Sequence, residues 1–201
     1  SEVLACWKGR VWDNEGNVSQ WSAPASFGIG FLDDKDWASN AAFIGVPGNR
    51  GKSEVAPLLR KTFTAKEDAE RYLLHVNSLG YHEAYVNGTA VSDAVLSPAV
   101  SQFGVRTRIV TYDVTSMVHS GENDIIIWTG KGWYQTHNKA VVPGGPYVRA
   151  QLDCITSEGV TAVTATDGSW KYAESERRTY GPWRPHEMGG EIVDARKVLP
   201  E

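Results

Sequence analysis

The sequence predicts an all-β fold, an antiparallel β-sandwich preceded by a β-hairpin, and three observations carry that expectation. Short runs in which apolar and polar residues alternate recur along the chain. Turn-forming residues punctuate those runs, with 20 glycines and 9 prolines among 201 residues. Eight tryptophans and eight tyrosines suit a pleated, half-buried surface. Long stretches of helical periodicity are lacking.

Composition bounds the rest. With 41% hydrophobic and 22% charged residues the chain is an ordinary globular sequence, which excludes disorder, collagen and low-complexity polymer. Its length accommodates one large domain, or one domain plus a fragment. Twenty basic against 24 acidic residues give a net charge of −4. That balance, without a basic block, disfavours nucleic acid and anionic membranes as partners. No apolar run approaches the roughly 20 residues that span a bilayer. The chain starts at Ser1 without a charged region and apolar run, so it reads as lacking a signal peptide, although a cleaved signal leaves the same start. Cys6 and Cys154 are far apart and lack metal or redox spacing. They read as two buried, unpaired thiols that behave as small hydrophobes.

Taken in order, Val3, Ala5, Trp7 and Val11 alternate on one face, and Asp13-Asn14-Glu15-Gly16-Asn17 is turn chemistry. A return strand is expected from Ser22 to Phe27. Residues 33–57 read as loop. Leu59, Lys61 and Phe63 then alternate with Arg60 and Thr62, which predicts a strand. Thr64 and Glu67 fit a capping box, so that stretch reads as ambiguous, with one helical turn at most. Tyr72, Leu74 and Val76 against Leu73, His75 and Asn77 predict another strand. A further one, Tyr81 to Val86, ends at Asn87-Gly88, the strongest hairpin signal in the chain. Strands are also expected at 107–112, 124–129, 147–156, 160–166 and 192–198. Asp113 is placed to cap a helical turn over 114–118. So many short strands without long helices argue for the sandwich.

Catalytic templates fare badly. No G-x-S-x-G, H-E-x-x-H or P-loop is present. Gly28-Ile29-Gly30 lacks the third glycine of a dinucleotide fingerprint. His75, His82, His119, His137 and His186 are scattered without ligand spacing. Asp33, Asp34 and Asp36 lack the glycine and closing glutamate of a calcium loop and read as a solvated acidic turn. No metal, no cofactor and no catalytic residue is assigned.

Aromatic placement is more informative. Trp133-Tyr134 follows Gly130-Lys131-Gly132, Trp170 follows Asp167-Gly168-Ser169, and Trp183 lies between Pro182 and Arg184. Tryptophans in loops either cover the ends of the sandwich, meet a neighbouring domain, or stack on the C–H face of a sugar.

A family resemblance runs through the chain. Val11-Trp12-Asp13, Gly16, Ser19 and Trp21-Ser22 resemble the last hairpin of the fibronectin-III-like domain that opens bacterial α-L-rhamnosidases. Asp36-Trp37-Ala38 and Pro57-Leu58-Leu59-Arg60-Lys61-Thr62-Phe63 are similar to the entry of the next domain. Gly80-Tyr81-His82-Glu83, Val86-Asn87-Gly88 and Leu96-Ser97-Pro98 resemble its central hairpin. Tyr112-Asp113-Val114-Thr115, Gly130-Lys131-Gly132-Trp133-Tyr134, Thr166-Asp167-Gly168-Ser169-Trp170 and Gly190-Glu191 with Asp194-Ala195-Arg196 continue the match in order.

The resemblance implies a hairpin over residues 1–31 and, over 32–201, a jelly-roll, galactose-binding-like sandwich of the rhamnosidase N-terminal type. It implies a parent glycoside hydrolase that removes terminal α-L-rhamnose from glycosides and polysaccharides in an (α/α)6 barrel lying after these sandwiches. There one carboxylic acid protonates the leaving oxygen and a second carboxylate activates water. This region is then expected to be inactive alone. It either binds carbohydrate or shapes and supports the catalytic site, with Trp133, Tyr134, Asp167, Trp170, Glu191, Asp194 and Arg196 as carbohydrate-binding or domain-interface residues, or serves purely as a scaffold docking the barrel. The implied partners are a rhamnose-containing glycoside and the barrel of the same chain. The implied setting is secretion or the periplasm of a polysaccharide-degrading bacterium.

Overall fold

The structure, a computed structural model, describes residues 4–46, 55–137, 144–181 and 189–197. It divides into two compact units, residues 1–37 and 38–201.

In the first unit, β1 (Leu4–Trp7) pairs antiparallel with β2 (Ala25–Gly28). The return strand therefore starts three residues later than the alternation suggests. Ser19 and Ser22 explain the delay. Their hydroxyls accept the amides of Val11 and Gly9, each at 3.1 Å, where a ladder would use carbonyls. The turn is held by the Asp13 carboxylate, which accepts the amides of Glu15 and Asn17 at 2.9 and 2.8 Å. On this hairpin the Arg10 guanidinium lies 4.8 Å from the centroids of both Trp12 and Trp21. Cys6 is exposed, not buried as its composition class suggests, because the hairpin presents both of its faces.

The second unit is the sandwich, and its strands are antiparallel throughout the described pairings. They are β3 (Val55–Thr64), β4 (Arg71–Leu79), β5 (Tyr81–Val86), β6 (Thr89–Ala90), β7 (Ile109–Asp113), β8 (Glu122–Gly130), β9 (Tyr147–Thr156), β10 (Gly159–Ala165), β11 (Lys171–Tyr180) and β12 (Gly190–Val193). One sheet has the order β10-β9-β4-β7 and the other β12-β11-β3-β8-β5-β6. Leu74, Val76, Ala150 and Leu152 face Leu59, Ala84, Ile125 and Ile127 between the sheets, and all eight are buried. Each such aliphatic side chain larger than alanine contributes about 1.5–3 kcal/mol on burial.

Asn87 and Gly88 turn β5 into β6 with φ of +50° and +75°, as Asn-Gly predicts. Asp113 receives the Thr115 amide at 3.1 Å beside a 3-10 turn, Thr115–Met117. No helical turn forms at 64–67. The Tyr72 hydroxyl instead accepts the Lys66 amide at 2.7 Å and donates to the Lys66 carbonyl, occupying the backbone groups a helix would use. The strand β11 escapes the sequence pattern, since Lys-Tyr-Ala-Glu-Ser-Glu-Arg-Arg-Thr-Tyr has no apolar alternation and is mostly solvent-facing. β12 starts at Gly190, two residues before the predicted 192–198.

Candidate functional site

The seven residues singled out in the sequence do not form one cluster. Asp167 and Trp170 belong to one turn, which Asn40 and Lys61 tie to the rest of the sandwich. The Asp167 carboxylate accepts the Ser169 amide at 2.9 Å, the Ser169 hydroxyl, and the Asn40 side-chain amide at 3.0 Å. Those bonds, the Ser169 hydroxyl first, hold its carboxyl below the usual range. The Trp170 indole donates to the Ala165 carbonyl at 2.9 Å and packs on the core. Asp194 and Arg196 form an exposed bidentate pair, with bonds of 2.8 and 2.9 Å, inside one turn. That pairing lowers the carboxyl and raises the guanidinium.

Trp133 and Tyr134 sit on a short helix, α1 (Gly132–His137), not on the loop that Gly-Lys-Gly suggests. The glycines are needed for close approach. A Cβ on Gly80, at φ +120°, would stand 2.2 Å from the Gly130 carbonyl oxygen, and one on Gly132 would press on the Tyr81 ring. Tyr134 is buried edge-on to Phe103 at 5.4 Å, and that burial raises its phenol. Trp133 stays 38% exposed. Lys171, next to Trp170, lies in register with Arg60 and hence Ile126, whereas Trp133 follows the end of β8 at Gly130. Four or five residues of strand, about 15 Å, separate the two levels, so the two tryptophans do not share a cleft. Trp183 lies outside the described residues.

At the Gly130 end, the outer face of the six-stranded sheet carries a groove of about 250 Å³. Tyr81, Glu83, Leu96, Trp128, Arg177 and Glu191 line it. Glu191 is the one sequence-selected residue among them. Glu83 pairs directly across from Trp128 in the β5–β8 register, so both side chains rise from the same face. The Arg177 guanidinium stands 5.0 Å from the Trp128 ring and reaches Glu191 at 3.4 Å. Glu83 accepts the Tyr85 hydroxyl at 2.7 Å, and this bond pushes that phenol up to about 12. Trp128 was legible as the outward residue of the period-two run Asp124, Ile126, Trp128. Arg177 was not, because its strand carries no apolar signal.

Beneath the groove, His82 is buried between the Ser78 hydroxyl at 2.7 Å and the Tyr112 hydroxyl at 2.9 Å. Burial lowers its pKa to about 4, which makes it a neutral structural imidazole near pH 7. On the outer face of the other sheet a second buried polar layer holds His75, which bonds Thr111 at 2.8 Å and approaches Asp153 at 3.6 Å. Among the described residues no three His, Cys, Asp or Glu side chains gather as metal ligands.

Comparison with known proteins accords with this architecture. Residues 67–201 match the family model of the α-L-rhamnosidase N-terminal domain, and residues 1–33 that of a Rha78A-like N-terminal immunoglobulin domain. An α-L-rhamnosidase of Formosa agariphila is 29% identical over 96% of this chain, and one of Streptomyces avermitilis is 31% identical over 83%. The chain spans 22% and 17% of those two proteins. The solved α-L-rhamnosidase from Dictyoglumus thermophilum superposes with a TM-score of 0.79 at 24% identity, covering 98% of this chain and 23% of that one. The Aspergillus terreus enzyme gives 0.77 at 24%, covering 90% and 22%. These two likenesses carry the fold, and the family model carries the kinship: the chain belongs to the α-L-rhamnosidase N-terminal domain family.

Proposed function

We propose that this chain is the non-catalytic N-terminal β-sandwich region of an α-L-rhamnosidase, a glycoside hydrolase that releases terminal α-L-rhamnose. Its task is to contact carbohydrate or to shape and support the catalytic site, with the (α/α)6 barrel of the same protein as its partner. The observation that carries this reading is the open groove whose carboxylates are already engaged, Glu83 by Tyr85 and Glu191 by Arg177. Glycoside hydrolysis asks for a carboxyl with a raised pKa facing a second carboxylate. Among the described residues the carboxyls that are shifted, Asp13, Asp113, Asp167 and Asp194, are all lowered, and none of them lines the groove. Carboxylates engaged in this way support a recognising or docking role for the groove.

A purely structural role is the second reading. It is favoured by Asp167, Trp170, Asp194 and Arg196, whose polar groups are already paired within the sandwich. Glu191, an exposed residue of the groove lining, and Trp133, partly exposed on the helix after Gly130, favour the first reading. The proposed location is the periplasm or the exterior of a bacterium, where polysaccharides too large to cross a membrane are met. The test compares this chain with the complete protein on an aryl α-L-rhamnoside. The complete protein turns over and this chain does not; turnover by the purified chain overturns the proposal.

A further inference from the structure

We propose that the groove at Trp128 binds a single uncharged pyranose ring; this rests on the functional reading above and assigns that contact a place and a ligand class. The volume of about 250 Å³ lies below the roughly 300–1,000 Å³ of pockets that enclose drug-sized ligands, so it suits one ring. Trp128, Tyr81 and Leu96 supply apolar wall, and Leu96 is 68% exposed, held at φ +57°. Such a surface takes the C–H face of a sugar.

The polar groups choose hydroxyls. The Arg177–Glu191 bond is 3.4 Å long, at the limit of a hydrogen bond, and both side chains remain about half exposed. A hydroxyl placed between them donates to the carboxylate and accepts from the guanidinium, replacing one long bond by two short ones. Glu83 spends one oxygen on Tyr85, and its other oxygen remains an acceptor for a second hydroxyl. Two carboxylates against one guanidinium leave the lining with an excess negative charge, which repels a uronate, sulfate or phosphate. The Trp128 ring, 5.0 Å from the guanidinium, holds that donor in place before the ligand arrives, which leaves Tyr81 and Leu96 as the uncovered apolar wall.

The test follows the Trp128 indole N–H resonance of the 201-residue chain by NMR. The probes are methyl α-L-rhamnopyranoside, methyl α-D-glucopyranoside and the sodium salt of methyl α-D-galacturonoside. At least one neutral glycoside shifts the resonance saturably with a millimolar dissociation constant, and the uronate shifts it at least about tenfold more weakly. Glu191→Gln, at an exposed position that leaves the fold intact, weakens the neutral sugar about tenfold through the lost charge-assisted bond. A Trp128 resonance unmoved by both neutral glycosides, or moved equally by the uronate, overturns the proposal. The binding measurement contains no hydrolysis. An inactive complete protein with intact groove binding therefore overturns the functional reading alone, and an active one with a silent Trp128 overturns the groove alone.

Discussion

Arg177 places its guanidinium 5.0 Å from the centre of the Trp128 ring, joining the strand that sequence pattern missed to the strand that it found. The pair fixes the floor of the groove, and the contact is a cation–π interaction worth about 0.5–1 kcal/mol at a partly exposed site. A double-mutant cycle of Trp128→Leu and Arg177→Gln, read by urea denaturation, is expected to give a coupling of that size. Additive single effects would remove the contact from the account.

The buried imidazole makes stability depend on pH. His82 titrates near 4 in the folded protein against about 6.5 when unfolded. Its contribution is complete above about pH 6.5 and is lost as pH falls towards 4, because the unfolded chain takes up the proton first. The full difference amounts to about 3 kcal/mol. Denaturation of His82→Gln between pH 7 and pH 4 should show a visibly flatter pH dependence than the wild type.

Gly80 is where backbones meet most closely. Gly80→Ala places a methyl group 2.2 Å from the Gly130 carbonyl oxygen at a φ of +120°. The expected loss is about 3 kcal/mol or more, since both strain and clash act together. Gly88→Ala, whose added Cβ meets nothing within 4 Å, bears the strain of φ +75° alone and should cost less. Thermal midpoints of the two variants check the order.

Thiol accessibility separates the two units. Cys6 is exposed, whereas Cys154 is buried and its thiol is pushed up by desolvation. A disulfide reagent under native conditions should label one thiol per chain quickly and the second only on unfolding. Fast labelling of both would show that the sandwich core is open at β9.

Much of the fold was legible because two signals are local. Asn87-Gly88 dictates a tight turn through its dihedrals, and Leu74, Val76, Leu152 and Ile127 mark the inner faces by period two. β11 was hidden because its residues pair with β3 through backbone groups while their side chains meet solvent. The same blindness removed Arg177, and with it most of the groove. Trp133 and Glu191 were singled out through their residue types and the family resemblance. Asp167, Asp194 and Arg196 have the composition of a binding site and the geometry of turns: short-range bonds to Ser169, and to each other, use the groups a ligand would need. Sequence spacing does not distinguish those outcomes, since an Asx turn and a ligand contact call on the same side chains.

Whether the Gly130 end of this sandwich serves the substrate as well as the fold is decided by Trp133→Ala in the complete protein. Catalytic efficiency on a rhamnoside and the thermal midpoint are measured together. Trp133 is partly exposed on the short helix that follows Gly130, so efficiency is expected to fall by about 1–3 kcal/mol of transition-state stabilisation while the midpoint changes little. Unchanged kinetics with a strongly lowered midpoint would contradict it.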